Sequence, residues 1–183
     1  MGLDMYLSKK TYVKNWDYME PGERIEITVK KGENTFPGID TSKITYIEEE
    51  VMYWRKANQV HNWFVENVQN GEDDCGNYYV SREQLEELLN VCKEVLANSK
   101  LVEGEIVNGE RFEEGKWIPI KEEGKYIEDT SIAKELLPTS SGFFFGSQDY
   151  DQWYYEDIKD TVEVLEAELA KKSSANYYYH ASW

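Results

Sequence analysis

Cysteine, histidine and proline are all scarce in this chain: 183 residues hold two, two and four of them. Cys75 and Cys92 have no CxxC spacing, and two histidines add too little to build a zinc constellation. A reduced, cytoplasmic setting is therefore expected, with no metal site and no cofactor assigned. Basic residues are also few, 20 against 36 acidic, for a net charge of -16. Such a surface repels a phosphate backbone at long range, so independent DNA binding through a basic groove is not expected. No apolar run approaches the roughly 18 residues of a membrane span, and the start of the chain lacks the basic and apolar regions of a secretory signal. No membrane association is expected. Gly2 follows Met1 without the Ser or Thr of a myristoylation motif. Neither a Walker A loop nor a dinucleotide fingerprint is present, and there is no internal repeat.

Aromatic residues, at 14%, are plentiful, which places the chain among folded domains. Leu3, Met5 and Leu7 alternate with polar neighbours and predict a strand with one buried face. Pro21 and Gly22 mark a turn, after which residues 24–31 alternate again through Ile25, Ile27 and Val29. A third strand is expected near 44–47. Glutamates at 48–50 suit the positive end of a helix dipole, so a helix is predicted from there to about Val68, stopped by Asn70 and Gly71. On that helix Tyr53, Ala57, Val60, Phe64 and Val68 form the core face.

Ser81 and Gln84 make a capping box for a second helix, whose stripe of Leu85, Leu88, Leu89, Cys92, Val95 and Leu96 faces the core. Residues 100–128 read as a β-insertion: a hairpin turning at Asn108 and Gly109, then a strand near 116–120 with Pro119 at an edge. Asp129, Thr130 and Ser131 open a short helix over 132–137, which Pro138 ends. Phe143, Phe144 and Phe145 lie between Gly142 and Gly146 and are expected to form a short buried strand. Asp149 with Gln152 fits a capping box for a last helix carrying Ile158, Val162, Leu165 and Leu169. The expected fold is α+β, a small mainly antiparallel sheet packed with about three main helices. It forms a single domain over 1–172, followed by an aromatic tail over 173–183 that is either a docking segment or a loose terminus.

Residues 54–64 concentrate the chemistry. With the predicted core face set aside, Trp54, Asn58 and His61 share one flank, with Arg55 and Lys56 beside them. A stacking ring, an amide, an imidazole and cations together suit a nucleotide. His61 and Asn58 are the candidate catalytic pair, His61 because imidazole is the side chain whose unperturbed pKa suits acid–base work near neutrality. Trp54, Arg55 and Lys56 are candidate binding residues. Each of these side chains alone is as readily a packing residue, and the conjunction carries the reading. Asp73 and Asp74 precede Cys75 and Gly76 in a polar loop, where the two carboxylates suit either Mg²⁺ or a basic partner, with Asp74 the candidate binding residue. Ser147, Tyr150 and Asp151, in a D-x-D stretch before the last helix, complete the binding set, since the backbone near Ser147 can offer N–H groups to an anion.

The opening Met1, Gly2, Leu3, Asp4, Met5, Tyr6, Leu7, the 54–64 segment, Asp74-Cys75-Gly76 and the 136–151 stretch together resemble a family of small phage and prophage proteins. Length and acidity are also similar to type II-A anti-CRISPR proteins, which inhibit Cas9, one kind by shortening the guide RNA. The resemblance implies a phage anti-defence protein in the bacterial host cytoplasm, with Cas9 and its guide RNA as partner. In one reading it shortens the guide with Cas9, Arg55 and Lys56 meeting phosphate, Trp54 stacking a base and His61 moving a proton. In a second it sequesters a nucleotide immune signal, and in a third its acidic surface blocks a basic channel without chemistry.

Overall fold

The computed structural model describes residues 2–142 and 144–183. Strand β1 (Asp4–Tyr12) follows the predicted alternation and carries it further, with Met5, Leu7 and Lys9 buried and Tyr6 and Ser8 on the other face. Short β2 (Lys30–Lys31) and β3 (Asn34–Thr35) pair only with each other. Most of the alternating 24–31 stretch is therefore not strand. It belongs to an exposed excursion over residues 14–43, where Ile25 is held by the Asn15 amide and stays outside the core.

The main departure from expectation is β4 (Tyr46–Arg55), a strand where a helix was predicted. The glutamates that mimic a helix start are strand partners of β1. Lys9 lies opposite Glu49 and Lys10 opposite Glu48, with Nζ–carboxylate distances of 3.1 and 3.5 Å. Opposite charges across a ladder stabilise the pairing, and the aromatic and β-branched run behind them prefers it. Helix α1 (Asn58–Asn67) begins only after Lys56, which turns the chain at φ 63°.

Strand β5 (Asn77–Val80) leads to α2 (Arg82–Asn98), whose Ser81–Gln84 capping box forms as predicted. Leu85, Leu88, Cys92 and Val95 are all fully buried. Burial pushes the Cys92 thiol up to about 12, as suits a small core residue.

Strands β6 (Leu101–Glu113) and β7 (Lys116–Ile127) form one long ribbon. Its turn is at Glu114 and Gly115 (φ 50° and 81°), not at Asn108 and Gly109. Asn108 and Gly109 instead form a bulge, where the register slips between Val107 and Glu110 and Gly109 takes φ 89°. Both sites accept left-handed backbone. The cross-strand set that includes Phe112 on Trp117, ring centroids 5.2 Å apart, belongs to the longer pairing.

Helix α3 (Ser131–Leu136) precedes Pro138, and α4 (Gln152–Leu169) packs against α2. Of the three phenylalanines, Phe143 lies outside the described residues. Phe144 and Phe145 sit in a turn and bend, where Phe145 is buried. The cap of α4 is Asp151, accepting from the Trp153 and Tyr154 N–H groups, so Asp149 has no capping role.

The aromatic tail is strand β8 (Asn176–Ser182), and it is an inner strand of the sheet rather than a docking segment or loose end. The sheet order is β4-β1-β8-β5, antiparallel throughout. Tyr177, Tyr179 and Ala181 join Met5, Leu7 and Trp54 on the face covered by the helices. The architecture is α+β with an antiparallel sheet and three main helices. No helix is long and apolar enough to cross a membrane among the described residues.

Candidate functional site

The predicted catalytic flank is part of the core. Trp54 lies on β4, not on α1, is 3% exposed, and donates its indole N–H to Thr161 Oγ1 at 2.8 Å. A ring so placed cannot stack on a base. Asn58, the first residue of α1, is buried and clamps the loop before α4. Its amide donates to the Phe145 and Ser147 carbonyls at 3.0 and 2.7 Å, and its oxygen accepts the Ser140 N–H at 2.9 Å. Trp63 is likewise buried in the core cluster.

His61 is 1% exposed, with both ring nitrogens engaged. Nδ1 lies 2.7 Å from the Tyr179 hydroxyl and Nε2 lies 3.0 Å from Asp73 Oδ2. The tautomer carrying its proton on Nε2 satisfies all three groups: Tyr179 donates to Nδ1, and Nε2–H donates to the carboxylate. Burial, and secondarily the Asp73 charge, holds the Tyr179 phenol well above its ordinary pKa, which keeps it a donor. Tyr179 also stacks on Phe64 at 3.9 Å, and Phe145 and Trp183 close over the imidazole. The relay ties β8 to α1 and to the loop before β5. His61→Ala would leave a fully buried hydroxyl without its acceptor and open a cavity, at an expected cost of about 2–4 kcal/mol in urea denaturation. A loss too small to measure would mean that the relay contributes nothing to the fold.

Asp74 is used locally: its Oδ1 accepts from the Gly76 N–H at 2.8 Å and from the Tyr78 hydroxyl at 2.9 Å. Cys75 is exposed. Tyr150 accepts the Thr139 N–H and packs against the Tyr154 ring. Among the described residues no three His, Cys, Asp or Glu side chains come together to hold a metal ion.

Four of the predicted binding residues do meet. Arg55, Lys56, Ser147 and Asp151 line a cleft of about 1320 Å³ between the β6–β7 ribbon, the loop before α4 and α4 itself. The ribbon is anchored there by Gln152 Oε1, which accepts the Lys125 N–H, and by the Ile127 N–H on the Tyr150 carbonyl. Gly146, at φ 88°, presses the loop against Lys56, where an added Cβ would stand 3.1 Å from the Lys56 Cβ. Lys56 itself holds a left-handed backbone, a strain of about 1–3 kcal/mol that the surrounding contacts must offset.

Sequence reasoning missed Asp157, which also lines this cleft. Burial pushes its carboxyl up to about 7, reinforced by Asp160 and Asp151 and opposed by the Gln59 amide, which donates to Oδ2 at 3.2 Å. Burial likewise raises Asp151, against the pull of its backbone donors. Asp151 spends Oδ1 on the helix cap and leaves Oδ2 with no donor, a deficit of about 1–3 kcal/mol for a buried acceptor. In the sequence Asp157 is one more acid on an acidic helix, and only its burial beside Gln59 distinguishes it. The cleft therefore combines Arg55, Lys56 and Lys125 with carboxyls of raised pKa, a setting suited to gripping a charged group or moving a proton near neutral pH. Comparison with protein-family models, with curated proteins and with solved structures finds no match.

Proposed function

We propose that this protein is a phage anti-defence protein that inhibits a type II-A Cas9 by occupying its basic nucleic-acid channel, without chemistry of its own. The observation that supports this most is where the charge and the chemistry lie. The net charge is -16, while Trp54, Asn58 and His61 are consumed in the core. Exposed acids run along Glu48 to Glu50, along the outer side of α2 at Glu83, Glu86 and Glu87, and along α4 at Glu156, Asp160 and Glu163. A surface with so large a net excess of one sign is attracted to a positively charged channel and competes with what that channel normally holds. The nucleotide-sequestering alternative loses the stacking ring it relied on, because Trp54 is inaccessible.

One observation favours a second reading, the Cas9-dependent shortening of guide RNA. The cleft sets Arg55 and Lys56 in the same space as Asp157, whose carboxyl titrates near 7. In that reading the cations meet phosphate and Asp157, not His61, moves the proton.

Both are tested by one experiment: incubation with the Cas9–guide complex, an assay of DNA cutting, and the guide run on a denaturing gel. Lost cutting with an intact guide is expected, and the inhibition should weaken steeply from low to physiological salt. A shortened guide would replace the first reading with the second. Undiminished DNA cutting would remove both.

A further inference from the structure

The cleft has an excess of one charge that its own residues leave unbalanced. Six carboxyl groups line it (Glu110, Asp149, Asp151, Glu156, Asp157 and Asp160) against Arg55, Lys56 and Lys125. Two of those cations are already drawn toward carboxylates outside it: Arg55 Nε lies 4.0 Å from Asp4, and Lys125 Nζ lies 3.3 Å from Glu103. Asp149 is satisfied by the Ser147 hydroxyl at 3.0 Å. Asp151 is not. It is 2% exposed, and its Oδ2 has no donor while Oδ1 is held by two backbone N–H groups. Buried acceptors without donors are rare in folded proteins, and one lining a cleft calls for a donor from outside.

The chemistry of that donor follows from the surroundings. The excess of carboxyls over cations in the cleft favours a cation over an anion at Asp151 and Asp157. A divalent metal needs several oxygens converging on one point, and among the described residues no such group of three exists. An organic cation supplies N–H donors in several directions together with a positive charge, and so satisfies Asp151 and offsets Asp157 and Asp160 at once. Gln59, 2% exposed and bound to Asp157, holds that carboxylate in place.

We propose that the cleft between the β6–β7 ribbon and α4 binds an alkylammonium or guanidinium group at Asp151 and Asp157. The group is carried either by a small organic cation or by a lysine or arginine side chain of a basic protein. The second source rests on the inhibitory reading above, and the first does not.

Isothermal titration at low salt, with agmatine and with a hexa-arginine peptide as probes, tests this on the wild type and three variants. Saturable one-to-one binding is expected, weakened about tenfold or more by Asp157→Asn or Asp151→Asn, the loss of one charge-assisted hydrogen bond. Asparagine caps a helix as well as aspartate, so Asp151→Asn should keep the fold, which its melting temperature checks. Glu94→Gln, exposed on α2, is the control and should leave binding unchanged. Agmatine bound as tightly as the peptide supports a small cation as the natural ligand. A peptide bound far more tightly supports a partner side chain. No saturable binding of either probe, or equal weakening by Glu94→Gln, would overturn the site and reveal only diffuse surface charge. Inhibition of Cas9 read on the same variants separates the two proposals. Asp157→Asn that loses agmatine but still inhibits leaves the site standing apart from the inhibition.

Discussion

Removal of residues 176–183 is expected to abolish the cooperative unfolding transition altogether. Strand β8 lies between β1 and β5 in the sheet. Without it β5 has no neighbour, and β1 keeps only β4. The deletion also takes Tyr177, Tyr179 and Ala181 out of the core, at about 2 kcal/mol for each tyrosine. It strands His61 without its hydroxyl partner and removes the Tyr177 hydroxyl that bonds Glu168 at 3.1 Å. Glu168 is 4% exposed and also takes the buried Lys9 ammonium at 3.1 Å. A domain whose total stability is roughly 5–15 kcal/mol does not survive the combined loss. Near-ultraviolet circular dichroism and a thermal melt of the shortened chain decide the matter. A melt still cooperative and within about 5 °C of the full chain would show that β8 is dispensable.

Asp157→Asn is expected to stabilise the protein, and only at the alkaline side of its titration. The folded state raises this carboxyl from an ordinary 3.8 to about 7, chiefly through burial. The folded state therefore holds its proton over a window in which the unfolded chain has released it. Stability contributed by the protonated acid is complete below about pH 4 and is lost as pH rises through about 7. Above that window the wild type carries a half-buried charge, and the neutral amide does not. With partial exposure discounted, the variant should be more stable by about 2–4 kcal/mol near pH 8 and equal near pH 4. Urea denaturation at the two pH values measures the difference directly. Parallel curves for wild type and variant at both pH values would mean that Asp157 is not desolvated. If the cleft binds a cation, agmatine should narrow the gap near pH 8, because a bound positive charge offsets the same cost.

These two expectations also mark the boundary between local and long-range information. Helix α2 was legible in full: its stripe, its capping serine and its reciprocal glutamine all lie within one stretch of chain. The alternation of β1 and the short helix before Pro138 were legible for the same reason. Residues 46–55 were not, because three consecutive glutamates favour a helix start locally and become strand residues only when Lys9 and Lys10 stand opposite them. The ribbon turn was misplaced because Asn108–Gly109 and Glu114–Gly115 both tolerate left-handed backbone, and the cross-strand partners chose between them.

The site divides in the same way. The sequence by itself determined that this is an acidic, aromatic-rich α+β domain. It also marked Arg55, Lys56, Ser147 and Asp151 as candidate binding residues, and the fold gathers those four into one cleft. Only the tertiary structure decided that Trp54, Asn58 and His61 hold the core together and that Asp157 titrates near neutrality. Periodicity can place a side chain on a face of a helix or strand. Whether that face meets water or another layer, and what a buried carboxyl then costs, depends on segments far away in the chain, here β8 and α4.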